Sequence, residues 1–214
     1  MGTFLKGILG GFSGKVGNVV GACIRGIDYM RSLPRKSTKA PTEAQLKQRT
    51  TFGLVVAFLR PITALINVGY QSYKGKETPM NAATSYHVEK AVTGVYPNLS
   101  IDYPKVVISK GTLLQVASAE IDTTAGTSEI EFSWRNNAAV DSPNLTDKAT
   151  FMVYSDTLNE YIVLTGAAPR SAGTYALAVP PYMVGLEVYC WMSFVRADGK
   201  QTSDSRYVGK ALVL

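Results

Sequence analysis

The C-terminal half of the chain carries a repeated pattern of short strands, and no other feature limits its fold as strongly. In the stretch SEIEFSWR, Ile130, Phe132 and Trp134 alternate with two glutamates and a serine, a period of two that is typical of a half-buried strand. Turns rich in Gly, Asn, Asp and Pro separate it from other apolar stretches, which are PKVVIS, TLLQVASAEI, ATFMVYSD, EYIVLTG, GTYALAV, GLEVYCWMSFV and SRYVGKALVL. This succession over residues 99–214 predicts an antiparallel β-sandwich domain of the immunoglobulin or fibronectin type III kind.

Large aromatic side chains supply the predicted core of this sandwich. They are Phe132, Trp134, Phe151, Trp191 and Phe194. The cysteine–tryptophan–cysteine pattern of antibody domains is absent, since the chain has only two cysteines, Cys23 and Cys190. Cys190 lies within an apolar strand pattern, so we expect a buried free thiol there rather than a disulfide.

A helical segment is predicted between the N-terminal residues and the sandwich, over residues 41–98. The stretch PTEAQLKQRTTFGLVVAFLRPI begins with a capping box formed by Thr42 and Gln45, and Pro61 is expected to end or kink this helix. A continuation through ITALINVGY is predicted to reach Gly69. The apolar side of the first helix is expected to contain Leu46, Phe52, Val55, Val56 and Leu59.

A second helix is predicted for NAATSYHVEKAVTG, with Asn81 as its N-cap and Gly94 as its terminator. It carries His87, the only histidine, and Glu89 two positions later points to another side of the helix. A single histidine without a Cys-x-x-Cys pair or a G-x-S-x-G stretch argues against a zinc site and against serine hydrolase catalysis. We therefore expect no enzymatic activity, no catalytic residue, no cofactor and no metal site.

Residues 1–40 form a glycine-rich segment that we interpret as a β arm. Its stretches KVGNVVGACI and GIDYMRSL contain strand-forming residues, and Arg25-Gly26 can turn one onto the other, which predicts a hairpin or ribbon. The glycines do not match a phosphate-binding loop, because Gly14-Lys15 is followed by valine instead of serine or threonine. Their expected role is to permit positive φ angles or close approach of the chain.

Positive charge is concentrated at the start of the chain. Residues 1–60 hold ten Lys and Arg against two acidic residues, whereas residues 61–214 hold twelve against fourteen. We interpret the arm as a binding surface for a polyanion or a protein partner. Its candidate residues are Arg25, Tyr29, Arg31, Arg35, Lys36 and Lys39.

The sequence contains no apolar run long enough to cross a bilayer and no recognisable signal peptide. We therefore expect a cytoplasmic or particle-associated protein without a membrane span. No small-molecule substrate is evident from its motifs.

Three stretches together resemble a family of proteins of similar length from Bacteroidetes that is known only as a domain of unknown function. The stretches are GGFSGKVGNVVGACIRGIDYMRSLP, PTEAQLKQRTTFGLVVAFLRPI and FVRADGKQTSDSRYVG. The resemblance covers nearly the whole chain and implies no catalytic residues. A shorter pattern, P-T-x-x-Q followed by R-x-x-F and formed by Pro41, Thr42, Gln45, Arg49 and Phe52, is similar to segments of some phage-like structural proteins.

The sequence thus predicts a mainly β protein with a helical segment, in three parts, that acts as a non-enzymatic structural or binding protein. Self-association or contact with another protein is the leading hypothesis, with a virion- or assembly-associated role as its narrower form. The residues expected to pair strands in assembly are Val16, Val19, Ile24 and Ile27. The alternative is a sequence-nonspecific nucleic-acid-binding protein that uses the same basic arm.

Overall fold

The computed structural model of the chain describes residues 2–4, 10–24, 26–35, 38–73, 77–139 and 142–214. Within these ranges there are thirteen β-strands and three α-helices. The chain divides into two compact units, residues 1–43 and residues 44–214. The predicted mainly β fold with a helical segment is confirmed.

The first unit is a four-stranded antiparallel sheet, which we call the arm sheet. Its strands β1 (Gly2–Phe4), β2 (Phe12–Val16), β3 (Val19–Ile24) and β4 (Ile27–Ser32) pair in chain order. The turn between β2 and β3 contains Gly17 at φ +58°, and the turn between β3 and β4 contains Gly26 at φ +82°. The predicted hairpin is therefore confirmed, and it lies inside a larger meander.

The second unit begins with the helices α1 (Glu43–Leu59), α2 (Thr63–Gly69) and α3 (Pro79–Lys90). The predicted break at Pro61 is confirmed, since Pro61 lies between α1 and α2. The expected apolar side of α1 is only half right: Val55 and Leu59 are buried, whereas Leu46 and Phe52 are exposed. This difference arises because α1 buries side chains only in its C-terminal half.

The predicted boundaries of the third helix are wrong at both ends. Its N-cap is Thr78, whose hydroxyl accepts a hydrogen bond from the Asn81 N–H at 3.2 Å, so Asn81 lies inside the first turn. Gly94 does not terminate the helix, because it lies in β5 (Val92–Val95), which forms a hairpin with β6 (Asn98–Ile101).

Seven further strands form two antiparallel sheets. Strands β7 (Ala117–Thr123), β8 (Glu129–Arg135) and β11 (Thr174–Ala178) make a sheet of order β11-β8-β7. The other sheet has the order β10-β9-β12-β13, and its strands are β9 (Lys148–Ser155), β10 (Glu160–Leu164), β12 (Glu187–Val195) and β13 (Arg206–Leu212). Likeness to an immunoglobulin or fibronectin type III sandwich stays an interpretation of this strand order.

One hydrophobic core lies between the two sheets and contains Phe132, Trp134, Phe151 and Phe194, as predicted. The fifth predicted core aromatic, Trp191, is equally buried but belongs to a second core. In this second core the three helices pack against β9 and β12. Successive residues of these two strands therefore point into different cores, and the helices and sheets form one unit.

The predicted strand PKVVIS is not formed. Residues 103–105 make a short 3₁₀ turn, and the following residues run without a strand partner between the helices and the sheet. One side chain replaces the missing strand partner. The Ile108 and Ser109 N–H groups both donate hydrogen bonds to the Ser205 hydroxyl, at 2.9 and 3.3 Å. Valine-rich composition alone could not reveal these partners.

In the described residues no single helix has the length and apolar composition to cross a membrane, although α1 and α2 together pass that test as a bent pair.

Candidate interaction surfaces

The strand register gives the arm sheet two different faces. On one, which we call the cationic face, Lys15 of β2, Val20 of β3 and Arg31 of β4 lie side by side in a cross-strand row. Tyr29 lies on the same face, paired with Ala22 and two residues from Arg31, or about 7 Å along the strand. Positive charge and an aromatic ring are thus placed next to each other.

The opposite face, which we call the glycine face, carries a row formed by Gly2, Gly14, Gly21 and Met30. The Phe12 ring covers Gly21: a Cβ atom at Gly21 would lie 2.7 and 2.8 Å from two carbons of that ring. Glycine is needed at this position because the close approach of Phe12 leaves no space for a side chain.

The arm sheet has almost no core of its own. Among the described residues of the first unit, only Gly21 is buried. Large apolar side chains are exposed on both faces; their exposed fractions range from 38% at Val19 to 72% at Met30, with Ile27 at 70%. A single-layer sheet of this kind gains little stability from burial of apolar surface.

The predicted assembly residues are divided between the two faces. Val16 and Val19 pair with each other on the glycine face, whereas Ile24 and Ile27 pair with each other on the cationic face. Side chains on a strand alternate between faces, so sequence proximity did not place the four together.

The predicted binding residues are only partly brought together. Tyr29 and Arg31 share the cationic face, where the structure adds Lys15, which the sequence analysis did not select. Arg35 lies beyond β4 in a small cleft beside the turn that contains Asn18, and Lys39 lies further along the chain. Arg25 and Lys36 lie outside the described residues.

His87 occupies the core of the second unit and is completely buried. Its Nδ1 lies 2.7 Å from the Ala83 carbonyl oxygen, and its Nε2 accepts a hydrogen bond from the Val107 N–H at 3.3 Å. Burial lowers the pKa of His87 below its usual value. Both ring nitrogens are used by the backbone, so this histidine is a structural residue.

We expect the stability of the protein to fall as the pH drops below about 6.5, because the unfolded state then binds a proton that the folded His87 excludes. The slope from this residue is at most about 1.4 kcal/mol per pH unit. Urea unfolding near neutral pH and in mild acid measures the effect. His87→Gln should be less stable at neutral pH yet lose this part of the acid sensitivity; an unchanged pH dependence would contradict the assignment.

A cleft of about 710 Å³ in the second unit was not predicted from the sequence, and we call it the tyrosine cleft. Its walls come from the end of α1, the β5–β6 hairpin and the neighbouring ends of β9, β10 and β12. Its aromatic lining residues are Phe58, Tyr103, Tyr154, Tyr161 and Tyr189. The carboxylate of Asp156 and the amide of Asn159 lie among them.

The described residues do not form a candidate metal site. Across the ranges that the structure describes, no three His, Cys, Asp or Glu side chains are grouped so that they could hold a metal ion. Cys23 is exposed in β3, and Cys190 is buried in β12, where burial raises the pKa of its thiol to about 12. Cys190 is therefore a core residue and a poor nucleophile.

Comparison with known proteins identifies one family. A family model described as "Family of unknown function (DUF6266)" matches residues 11–209, which include most of the arm sheet and nearly all of the second unit. No curated protein matches the chain. Since the match spans most of the sequence, the chain belongs to the DUF6266 family.

Proposed function

We propose that this protein is a non-enzymatic structural or binding protein whose arm sheet associates with a second copy of the chain. The observation that carries the proposal is the exposed apolar surface of a sheet without a core. Sheets of this size need a covered apolar face to be stable, so contact with another surface stabilises the arm.

Strand β4 is the preferred contact. It is an edge strand of six residues, whereas the other edge strand, β1, has only three. Half of the backbone N–H and C=O groups of an edge strand point away from the sheet and can pair with another strand. Pairing along β4 extends the sheet into the second copy by strand addition. Two copies related by a two-fold axis would use the same strand and so close the contact.

The proposal is tested by replacing Ile27 and Met30, both exposed on β4, with threonine, which keeps the strand propensity but removes apolar surface. We expect light scattering to show an oligomer for the intact chain and at least tenfold weaker association for the double variant. Val95→Thr is the matched control, since Val95 is 80% exposed in β5 of the second unit. A strictly monomeric intact chain, or equal weakening by the control, would exclude self-association through β4.

Nucleic-acid binding is the second candidate function, and the cross-strand row with Lys15 and Arg31 beside Tyr29 favours it. Neutralising about four phosphates would give a log–log salt slope near −3 to −4 on duplex DNA. Replacing Arg31 with glutamine should make the salt dependence less steep. Replacing the exposed Lys200 with glutamine should leave the salt dependence unchanged. Absence of binding at low salt rules this function out.

A role in a virion or another large assembly is the narrower form of the self-association proposal. Its support is the similarity of the P-T-x-x-Q and R-x-x-F pattern, with Pro41, Thr42, Gln45, Arg49 and Phe52, to phage-like structural proteins. We likewise propose an origin in Bacteroidetes, on the resemblance of the three stretches quoted in the sequence analysis. Electron microscopy of concentrated protein tests the assembly role through the presence or absence of ordered particles.

A further inference from the structure

The aromatic rings of the tyrosine cleft are inclined to one another. Phe58 meets Tyr154 at 80° and Tyr161 at 66°, with ring centroids 5.3 and 5.6 Å apart. Tyr103 meets Tyr154 at 48° and 5.5 Å, and it lies against Tyr189 at 4.0 Å. Tyr103, Tyr161 and Tyr189 are partly exposed and reach the open side of the cleft, whereas Phe58 and Tyr154 form its buried wall.

The cleft also holds a negative charge without a cationic neighbour. Oδ1 of Asp156 accepts a hydrogen bond from the Tyr103 hydroxyl at 2.6 Å, and the Tyr154 hydroxyl donates to Oδ1 of Asn159 at 3.2 Å. In the part of the chain that the structure describes, no Lys or Arg forms an ion pair with Asp156, whereas Asp102 at the cleft is paired with Lys105 at 2.7 Å. Asp156 is exposed, so one carboxylate without a cationic partner lies at the open edge of the ring cluster.

Tyr103, Tyr154 and Tyr161 contribute no negative charge that could compete with this carboxylate. Burial raises the pKa of Tyr103, and the hydrogen bond to Asp156 raises it further. Burial likewise raises the pKa values of Tyr154 and Tyr161. The phenols stay protonated at neutral pH, so their rings act as uncharged π surfaces beside Asp156.

We propose that the tyrosine cleft is a binding site for an organic cation that carries an alkylated ammonium group. The electron-rich faces of the partly exposed tyrosine rings attract such a cation, and the carboxylate of Asp156 adds an opposite charge beside them. The volume of about 710 Å³ lies within the range of small-ligand sites, about 300–1,000 Å³. A free quaternary amine and a methylated lysine side chain share this chemistry.

A neutral sugar fits these observations less well. A sugar stacks on one broad, flat ring face, whereas three pairs of rings that line this cleft meet at angles of 48° to 80°. An uncompensated carboxylate is also more useful for a cation than for a hydroxyl group.

Calorimetric titration of the full chain with choline, and with its uncharged isostere 3,3-dimethylbutan-1-ol, tests the proposal. We expect saturable choline binding that is at least tenfold tighter than binding of the isostere. N-acetyl-trimethyllysine amide is the second cationic probe: tighter binding than choline identifies a polypeptide as the source of the group, and weaker binding identifies a free amine. Equal affinity for choline and the isostere, binding of a neutral sugar alone, or no saturable binding of any cation would overturn the proposal.

The substitution Asp156→Asn keeps an acceptor for the Tyr103 hydroxyl and removes the charge, so we expect about tenfold weaker choline binding at an unchanged melting temperature. Glu160→Gln is the matched control. Glu160 also accepts a hydrogen bond from a tyrosine, Tyr182 at 2.8 Å, but this exposed pair lies outside the cleft. If both variants lose choline affinity to a similar degree, the overall charge of the protein, and not the tyrosine cleft, attracts the cation.

Discussion

Replacement of Arg170 with alanine is expected to lower the free energy of unfolding by about 3–5 kcal/mol. The Arg170 side chain is completely buried and forms an ion pair with Asp147 at 3.2 Å. Its guanidinium donates further hydrogen bonds to the Asn137 side chain at 2.9 Å and to the Leu114 carbonyl oxygen at 2.7 Å. Removal of the arginine leaves the Asp147 carboxylate buried without its cation, which is far more costly than loss of a surface ion pair.

Packing adds to the effect of this substitution. The Arg170 guanidinium carbon lies 3.7 Å from the centre of the Phe194 ring, so the charged group stacks on a core aromatic. The Trp134 indole N–H donates to the Arg170 carbonyl oxygen at 2.9 Å. Arg170 thus joins the turn before β11 to side chains of both sheets.

Denaturant unfolding followed by tryptophan fluorescence measures the loss. Lys210→Ala is the matched control, because its ion pair with Glu187 at 2.9 Å is solvent-exposed and should leave stability unchanged. In the double variant Arg170→Ala/Asp147→Ala the buried charge is gone as well, so the combined loss should be smaller than the sum of the two single losses. Additive losses would contradict a coupled buried pair.

Gly69→Ala is expected to destabilise the second unit by about 3 kcal/mol, at the upper end for overpacking. A Cβ atom at Gly69 would collide with the Ile108 carbonyl oxygen and would lie 2.9 Å from Cα of Ser109. These are backbone atoms, so a side-chain rotation cannot relieve the contact. The Gly69 carbonyl oxygen also accepts hydrogen bonds from the Lys110 N–H at 2.9 Å and the Thr202 hydroxyl at 3.1 Å, which hold α2 against the sheet.

The matched control is the same substitution at Gly53, which lies inside α1 with open space around its Cβ position. There the added methyl group should stabilise the helix by about 0.5–1 kcal/mol. In thermal unfolding we therefore expect a lower melting temperature for Gly69→Ala and a higher one for Gly53→Ala. A stabilising effect at Gly69 would show that its close approach to Ile108 is not required.

Local patterns were sufficient wherever neighbours in sequence decide the structure. The alternation of Ile130, Phe132 and Trp134 located β8 and its buried face, because a period of two needs no knowledge of distant residues. The role of Arg170 could not be predicted in this way. Arginine is usually exposed, and the groups that make its burial possible lie at least 23 residues away along the chain.

The candidate sites likewise depend on both sequence neighbours and distant residues, and only the former could be predicted. Composition indicated a basic N-terminal surface, but the faces of the arm sheet depend on the register set by the turn at Gly17. The tyrosine cleft could not be found from the sequence, since Tyr103, Tyr154, Tyr161 and Tyr189 belong to separate elements that only tertiary packing brings together.

The two central strands of the second unit have a consequence for how this family can vary. Met152 and Trp191 contact the helices, while the adjacent Val153 and Cys190 face the opposite sheet. Loss of the helices would leave a tryptophan and a methionine in water at the middle of a sheet. Insertions and deletions in related chains should therefore fall in the connecting turns, and a shortened form that consists of the two sheets alone should need new polar residues on that surface.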